Sequence, residues 1–405
     1  MVVMNSTNHT CKHYYPKQGP IEQCYQSDED LMNSIYTFIY PKPHEWIFTI
    51  LYVLVFIFGV SGNFLVCFAV WRNRLLRTTT NYFLVNLAVA DFLVIVLCLP
   101  PSYTQSIWET WFLGNAMCKV VEYYQEVTVV VSVLTLTAIS IERWFAICHP
   151  LTFKETRKRV IASIVVIWVG AHVMSIPRLL IFRENRDPMI PSNLTILLTS
   201  CGPDYDMDVL ALNYDLFVFV TFYIVPIVVM GYTYTAIAVC LWSSIKTGQY
   251  LTEGDQSAVT LQVQSRRRTA RMLIVVVVVL ILCYLPYYSW NLMRLIRSPL
   301  VKMIDRHSVS ILTLTAHWMV YLNSSINPVI YNFMSGKFRT EFAKVCYCFF
   351  GNYTVKRRRC YGNHEMEPLS TTKGRNGFMT TESPLNRRDT QRTDTAIGKD
   401  PHGNV

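Results

Sequence analysis

The stretch that decides the fold runs from Cys118 to Pro150, CKVVEYYQEVTVVVSVLTLTAISIERWFAICHP. Its middle, Val127 to Ile141, carries no charge and is rich in β-branched residues, which suits the inside of a lipid-embedded bundle. The polar residues Cys118, Glu122, Gln125, Ser132 and Arg143 fall on one stripe of 3.6-residue period. Polar side chains at membrane depth are costly and therefore face a bundle interior or a wet cavity. The pattern predicts a central membrane helix with a polar spine, a sulfur at one end and a Glu142-Arg143 pair at the other.

Working outward, the 405-residue chain is 52% hydrophobic, too apolar for a pair of soluble domains. Apolar stretches of about twenty residues read as membrane helices. Seven are expected, near 46–70, 82–103, 117–148, 161–182, 213–242, 269–296 and 309–333, with the third the weakest in hydropathy because of its polar spine. The first forty-five residues are polar and Tyr-rich, so no signal peptide is expected and the first span is expected to serve as its own insertion signal.

Lys and Arg cluster in alternate connections: Arg72, Arg74 and Arg77; Lys154 and Arg157 to Arg159; Lys246 and Arg266 to Arg268. The positive-inside rule makes these cytoplasmic, with the N-terminus outside and the C-terminus inside a plasma membrane. The net charge of +10 then belongs to a rim facing anionic lipid. No soluble basic module remains to bind nucleic acid.

Asn5, Asn8 and Asn193 head glycosylation acceptor triplets on the side assigned as extracellular. Cys118 can be matched with Cys201 in an outer loop, and Cys11 with Cys24, all on the oxidising side. Asp91 lies among Leu, Val and Ala, where a carboxylate needs an ion, a proton or a polar network. Pro226 and Pro286 interrupt the fifth and sixth spans, and His317, Tyr321, Asn323, Ser324, Asn327 and Tyr331 make the seventh more polar than an anchor requires. An amphipathic segment after it ends in Cys346 and Cys348, candidate palmitoylation sites. The expected fold is an all-α membrane protein, a seven-transmembrane helix bundle with a short amphipathic eighth helix. Its divisions are 1–45 (an extracellular glycosylated segment), 46–334 (the bundle), 335–348 (a membrane-surface helix) and 349–405 (a disordered cytoplasmic tail). The spans contain neither paired catalytic carboxylates nor metal-ligand His/Glu spacing, which speaks against an enzyme. The absence of internal symmetry makes a transporter a distant alternative.

Taken together, Gly62-Asn63, the LAVAD run ending at Asp91, Cys118, Glu142-Arg143-Trp144, Trp168, Pro226, Cys283-Tyr284-Leu285-Pro286 and the run Asn323 to Tyr331 resemble the rhodopsin-like G-protein-coupled receptors. Trp144, Tyr284, TTTNYFLVNLAVAD and AHWMVYLNSSINPVIYNFMSGKFR resemble the orexin receptors and invertebrate allatotropin receptors in particular. That resemblance implies a neuropeptide pocket walled by Gln125, Glu126, Val129, Tyr214, Tyr223, Asn291, His317 and Tyr321. It implies an activation apparatus of Glu142, Arg143, Trp144, Tyr234, Tyr284, Pro286, Asn327, Pro328 and Tyr331. It also implies an allosteric sodium ion at Asp91, Ser132, Asn323 and Asn327, with no other cofactor. The partners implied are a heterotrimeric G protein of the Gq class acting through calcium, receptor kinases, arrestin and membrane lipid.

Gln125 replaces the Asp of amine receptors, and Arg266 to Arg268 stand where many relatives place an acidic lock for Arg143. Glu122, Glu126 and Asp215 depart from the vertebrate orexin receptors, and Asp204, Asp206 and Asp208 add acid to the outer loop. These departures leave open, as an alternative, a different amidated neuropeptide with basic residues, attracted by this field.

Overall fold

A computed structural model describes residues 13–14, 24–25, 27–149, 156–186, 190, 194–248, 253–296 and 304–350; within these, side chains are described at most positions. One compact unit spans Met1–Cys360. The triplets headed by Asn5 and Asn8, the residues Asn193 and Cys11, the side chains of Arg266, Arg267, Cys346 and Cys348, and the segment 351–405 lie outside what is described.

Nine helices are described. They are α1 (Asp28–Ile39), α2 (Pro43–Arg72), α3 (Thr79–Leu93 and Leu99–Trp108, joined by a π turn at Val94–Cys98) and α4 (Gly114–Cys148). Then follow α5 (Arg157–Ile181), α6 (Asp208–Phe219 and Val225–Gly248, joined by a π turn at Val220–Ile224), α7 (Glu253–Leu295), α8 (Arg306–Met334) and α9 (Gly336–Phe350). The seven expected spans are α2 to α8. Six of them are long and apolar enough to cross a membrane; α8 is the exception. The third span is therefore not the weakest in hydropathy. The seventh is, because His317, Asn323, Ser324, Ser325 and Asn327 all sit on it.

The central position of α4 follows from its composition. Its middle carries no charge, and it packs against α3, α5, α6 and α7. Val127, Val130, Val131, Leu136 and Ile139 are almost completely buried, as a helix enclosed by other helices requires. Its first residue, Gly114, has φ 74°, a left-handed conformation that glycine adopts without a Cβ clash. Helix α8 closes the ring by packing against α2 and α7. Close approach of α2 to α8 depends on Gly62, where an added Cβ would sit 3.0 Å from the Pro328 ring. Both π turns lie near prolines, Pro100 and Pro226, whose missing N–H already breaks the regular ladder.

Two elements were hidden in what the sequence suggests is irregular. Helix α1 lies inside the polar N-terminal segment: Ser27 caps it, and Asp28, Glu29 and Asp30 fill its first turn. Leu31, Ile35 and Ile39, four residues apart, bury one face against Ile190, Leu194, Leu197 and Leu198. The long connection before α6 contains the antiparallel hairpin β1 (Phe182–Asn185) and β2 (Ser200–Pro203), with Glu184 opposite Cys201. A two-residue pair, His13–Tyr14 with Cys24–Tyr25, precedes α1. After α8, α9 buries Phe338, Phe342 and Val345 while Lys337, Arg339 and Lys344 stay exposed, the one-sided pattern expected of an amphipathic helix.

Candidate functional site

Three layers of polar side chains lie along the inside of the bundle, and each is built by residues from different helices.

The first layer lies at the hairpin end. Cys118 and Cys201 form a disulfide with Cα atoms 5.4 Å apart, which ties β2 to the start of α4. Gln105 of α3 reads the Cys201 backbone from both sides: its Nε2 donates to the carbonyl at 3.2 Å and its Oε1 accepts from the N–H at 2.9 Å. The hairpin is thus fixed over the bundle mouth, above a cavity of about 760 Å³. A pocket of this size fits a drug-sized ligand or the end of a peptide. Its walls include Gln125, Asn291 and His317 of the expected set, together with Glu122, Asp215, Tyr287, Tyr288 and Arg294. A narrower recess beneath it, of about 10 Å³, is lined by Glu122, Gln125, Glu126, Val129, Arg178 and three tyrosines, Tyr284, Tyr287 and Tyr288.

Tyr214, Tyr223 and Tyr321 support this cavity without lining it. The Tyr214 hydroxyl donates to the Met174 carbonyl at 2.9 Å, and the Tyr223 hydroxyl to that of Ile281 at 3.0 Å. Tyr321 donates to the Gln125 amide oxygen at 2.9 Å, leaving the Gln125 amide nitrogen as the donor at the cavity floor.

Arg178 was not singled out by the sequence reading, and it dominates this layer. It lies on α5, buried, with Nη2 3.1 Å from Glu126 Oε2 and 2.8 Å from Asp215 Oδ1. Its guanidinium also lies 5.1 Å from the Phe182 ring centroid and 5.0 Å from that of Tyr214. Glu126 and Asp215 therefore share one internal cation, which offsets a single one of the carboxylate charges in this layer. Asp204 is similarly taken, 2.8 Å from Arg183. The signal for Arg178 was available as a single Arg inside the apolar run of the fourth span, where an ionisable residue implies a partner.

The second layer lies at mid-depth. Asp91 is fully buried; Asn327 Nδ2 donates to it at 2.8 Å and Ser132 Oγ at 3.5 Å. The amide oxygens of Asn323 and Asn327 are buried without a hydrogen-bond partner. A carboxylate, a hydroxyl and two unsatisfied amide oxygens form an all-oxygen donor set that fits a hard monovalent cation. Around this cluster, Asn63 donates to the Ser324 carbonyl at 2.9 Å, Asn86 to Thr135 at 2.8 Å, and Trp168 to Asn86 at 2.7 Å.

The third layer lies at the opposite end. Arg143 Nη2 is 3.4 Å from Glu142 Oε2, so the neighbouring pair expected from the sequence is present. Tyr234 and Tyr331 are buried, and Trp144 packs against Phe145 and Tyr232. Pro286 and Pro328 both lie inside their helices, with Tyr284 buried one half-turn before Pro286.

Against known sequences, the profile described as "7 transmembrane receptor (rhodopsin family)" matches residues 62–331. The chain is 30% identical over 303 residues to the QRFP-like peptide receptor of Branchiostoma floridae, a match covering 74% of this chain and 77% of that receptor. It is also 30% identical over 337 residues to the Tachykinin-like peptides receptor 99D of Drosophila melanogaster, covering 82% of this chain and 63% of that protein's length. The chain belongs to the rhodopsin family of seven-transmembrane receptors. It is a multi-pass membrane protein, and its family is one of receptors rather than enzymes.

Proposed function

We propose that this chain is a cell-surface receptor for an amidated neuropeptide of the allatotropin/orexin type and that it activates heterotrimeric G proteins, chiefly of the Gq class, with release of calcium. The observation that carries this reading is the cavity of about 760 Å³ beneath the disulfide-tethered hairpin, with the Gln125 amide held by Tyr321 at its floor. A neutral amide in that position suits a peptide backbone or an amidated terminus, whereas an amine ligand needs a carboxylate counter-ion. Two similar chains, in an amphioxus and a fly, are peptide receptors by name.

In this reading Gln125, Glu126, Val129, Asn291 and His317 meet the peptide, and Tyr214, Tyr223 and Tyr321 hold their neighbours in place. The hairpin end faces the outside, as the Cys118–Cys201 bond and the basic connections at the other end favour. Agonist binding shifts the population toward a state in which α7 pivots at Pro286 and Arg143 leaves Glu142 to meet Tyr234 and the G protein. Receptor kinases and arrestin act on the cytoplasmic side. A sodium ion at Asp91, Ser132, Asn323 and Asn327 holds the resting state, because an oxygen cage around a cation must rearrange if α8 moves against α3. Helix α9 lies on the membrane surface, anchored by lipid at Cys346 and Cys348.

The test is intracellular calcium in cells without peptide receptors of their own, expressing this chain and treated with amidated allatotropin-type and orexin-type peptides. A nanomolar response to either class is the expected outcome. Surface expression with silence to both, and a response to a tachykinin-type or QRFP-type peptide, would move the receptor to another peptide class.

A further inference from the structure

Three carboxylates, Glu122, Glu126 and Asp215, converge on one buried cation, Arg178. The guanidinium is spent on Glu126 Oε2 and Asp215 Oδ1. Glu122 has no hydrogen bond or ion pair among the described residues, yet it lines both the large cavity and the recess below it. An independent observation points to the same place. Glu126, itself only 9% exposed, keeps its second oxygen, Oε1, buried with no partner, and it too lines the recess. If all four groups are ionised, the cluster carries two negative charges beyond what Arg178 offsets. A buried carboxylate oxygen without a donor is costly and gains most from whatever donor arrives.

We infer that Glu122 and the unpartnered oxygen of Glu126 form a cation subsite at the cavity floor, which takes the charged tip of a basic side chain of the ligand. This rests on the peptide-receptor reading above and adds the chemistry of one ligand residue. The recess has room for about one water-sized group. That admits an ammonium, or one N–H₂ prong of a guanidinium, while the rest of the side chain stays in the wider cavity. Arg178 also lines the recess, but it is one cation against three carboxylates, and these still outnumber it and the ligand's charge together once the ligand is bound. The ion pairs also fix Glu126 in place, so the subsite is preorganised rather than assembled by the ligand.

The test uses the full-length receptor in detergent with arginine amide, its α-amine acetylated, as the probe and the likewise acetylated citrulline amide, which carries no charge, as the control. Arginine amide should raise the unfolding temperature of the wild type in proportion to the logarithm of its concentration. Citrulline amide should not, and Glu122→Gln, which leaves both Arg178 pairs intact, should abolish the effect. Equal stabilisation by the two amides, or none by either, overturns the subsite, and that comparison needs only wild-type protein if the variant folds poorly. In cells, amidated agonist peptides are compared with versions in which each arginine is replaced by citrulline. At least a tenfold loss of potency on the wild type, collapsing toward onefold on Glu122→Gln, supports the inference. Peptides that signal equally well in both forms would remove the subsite while leaving the peptide receptor standing. Silence to every peptide, with stabilisation by arginine amide intact, would do the reverse.

Discussion

The Arg178 layer and the Asp91 layer meet the same difficulty, carboxylates at membrane depth, in opposite ways. Around Arg178 the solution is ionic: one guanidinium from α5 bridges carboxylates from α4 and α6, beside an open cavity. Around Asp91 the partners are neutral, an amide and a hydroxyl, and the carboxylate is completely enclosed. The difference teaches where each layer can change state. An ion triplet loses heavily if one member is removed, so it holds α4, α5 and α6 together as a frame. A carboxylate satisfied by neutral donors, with two amide oxygens to spare, can gain or lose a cation at modest cost, which suits an element that must rearrange.

The largest effect expected from this contrast is at Arg178. Arg178→Ala leaves Glu126 and Asp215 as buried charges without a cation, and should cost about 3–5 kcal/mol. The readout is loss of surface expression and a collapse of the unfolding temperature. Combining it with Glu126→Gln and Asp215→Asn should recover most of the loss. No recovery would mean that Arg178 acts through its packing on Phe182 and Tyr214 instead.

Next in size is Gly62→Ala, which presses a methyl against Pro328 at 3.0 Å. Overpacking of this kind costs about 1–3 kcal/mol. Because the strain falls on α8 beside the Asp91 layer, it should also raise basal signalling, measured as calcium or inositol phosphate without agonist. The Asp91 layer is sharpened by replacing sodium with a bulky organic cation. At ten times the dissociation constant, sodium should stabilise the wild type by about 1.4 kcal/mol. Asp91→Asn should lose that dependence while keeping an amide partner for Asn327. The smallest effect is at the boundary between the layers. Tyr321→Phe removes the bond to Gln125 and should cost about 0.5–1.5 kcal/mol. A double-mutant cycle with Gln125→Leu should recover a coupling of similar size.

Much of this was legible in the sequence. The polar stripe of the third span put Glu122, Gln125 and Ser132 on the bundle interior, and Gln125 and Ser132 do make their bonds there. Asp91 in an apolar run called for partners, and Asn327 and Ser132 supply them. Helix α1 escaped notice because overall polarity masked a stripe of only three apolar residues, Leu31, Ile35 and Ile39, whose burial depends on a surface supplied about 160 residues later in the chain by Leu194 and Leu197. The acidic residues of the cavity are legible in the sequence, but their shared partner is not, because Arg178 lies on a different span from any of them.

The chain by itself determined that seven spans are present, which face of the third is polar, and that sulfur stands at one end of that helix and an arginine at the other. Hydropathy and period are local quantities, so these could be read residue by residue. Only the tertiary structure decided which polar faces meet. A helix's period fixes the direction of a side chain about its own axis, but the rotation, depth and tilt of its neighbours come from packing at places such as Gly62 against Pro328. That packing brings Arg178 within 3.1 Å of Glu126 and 2.8 Å of Asp215, and turns three isolated charges from three helices into one site.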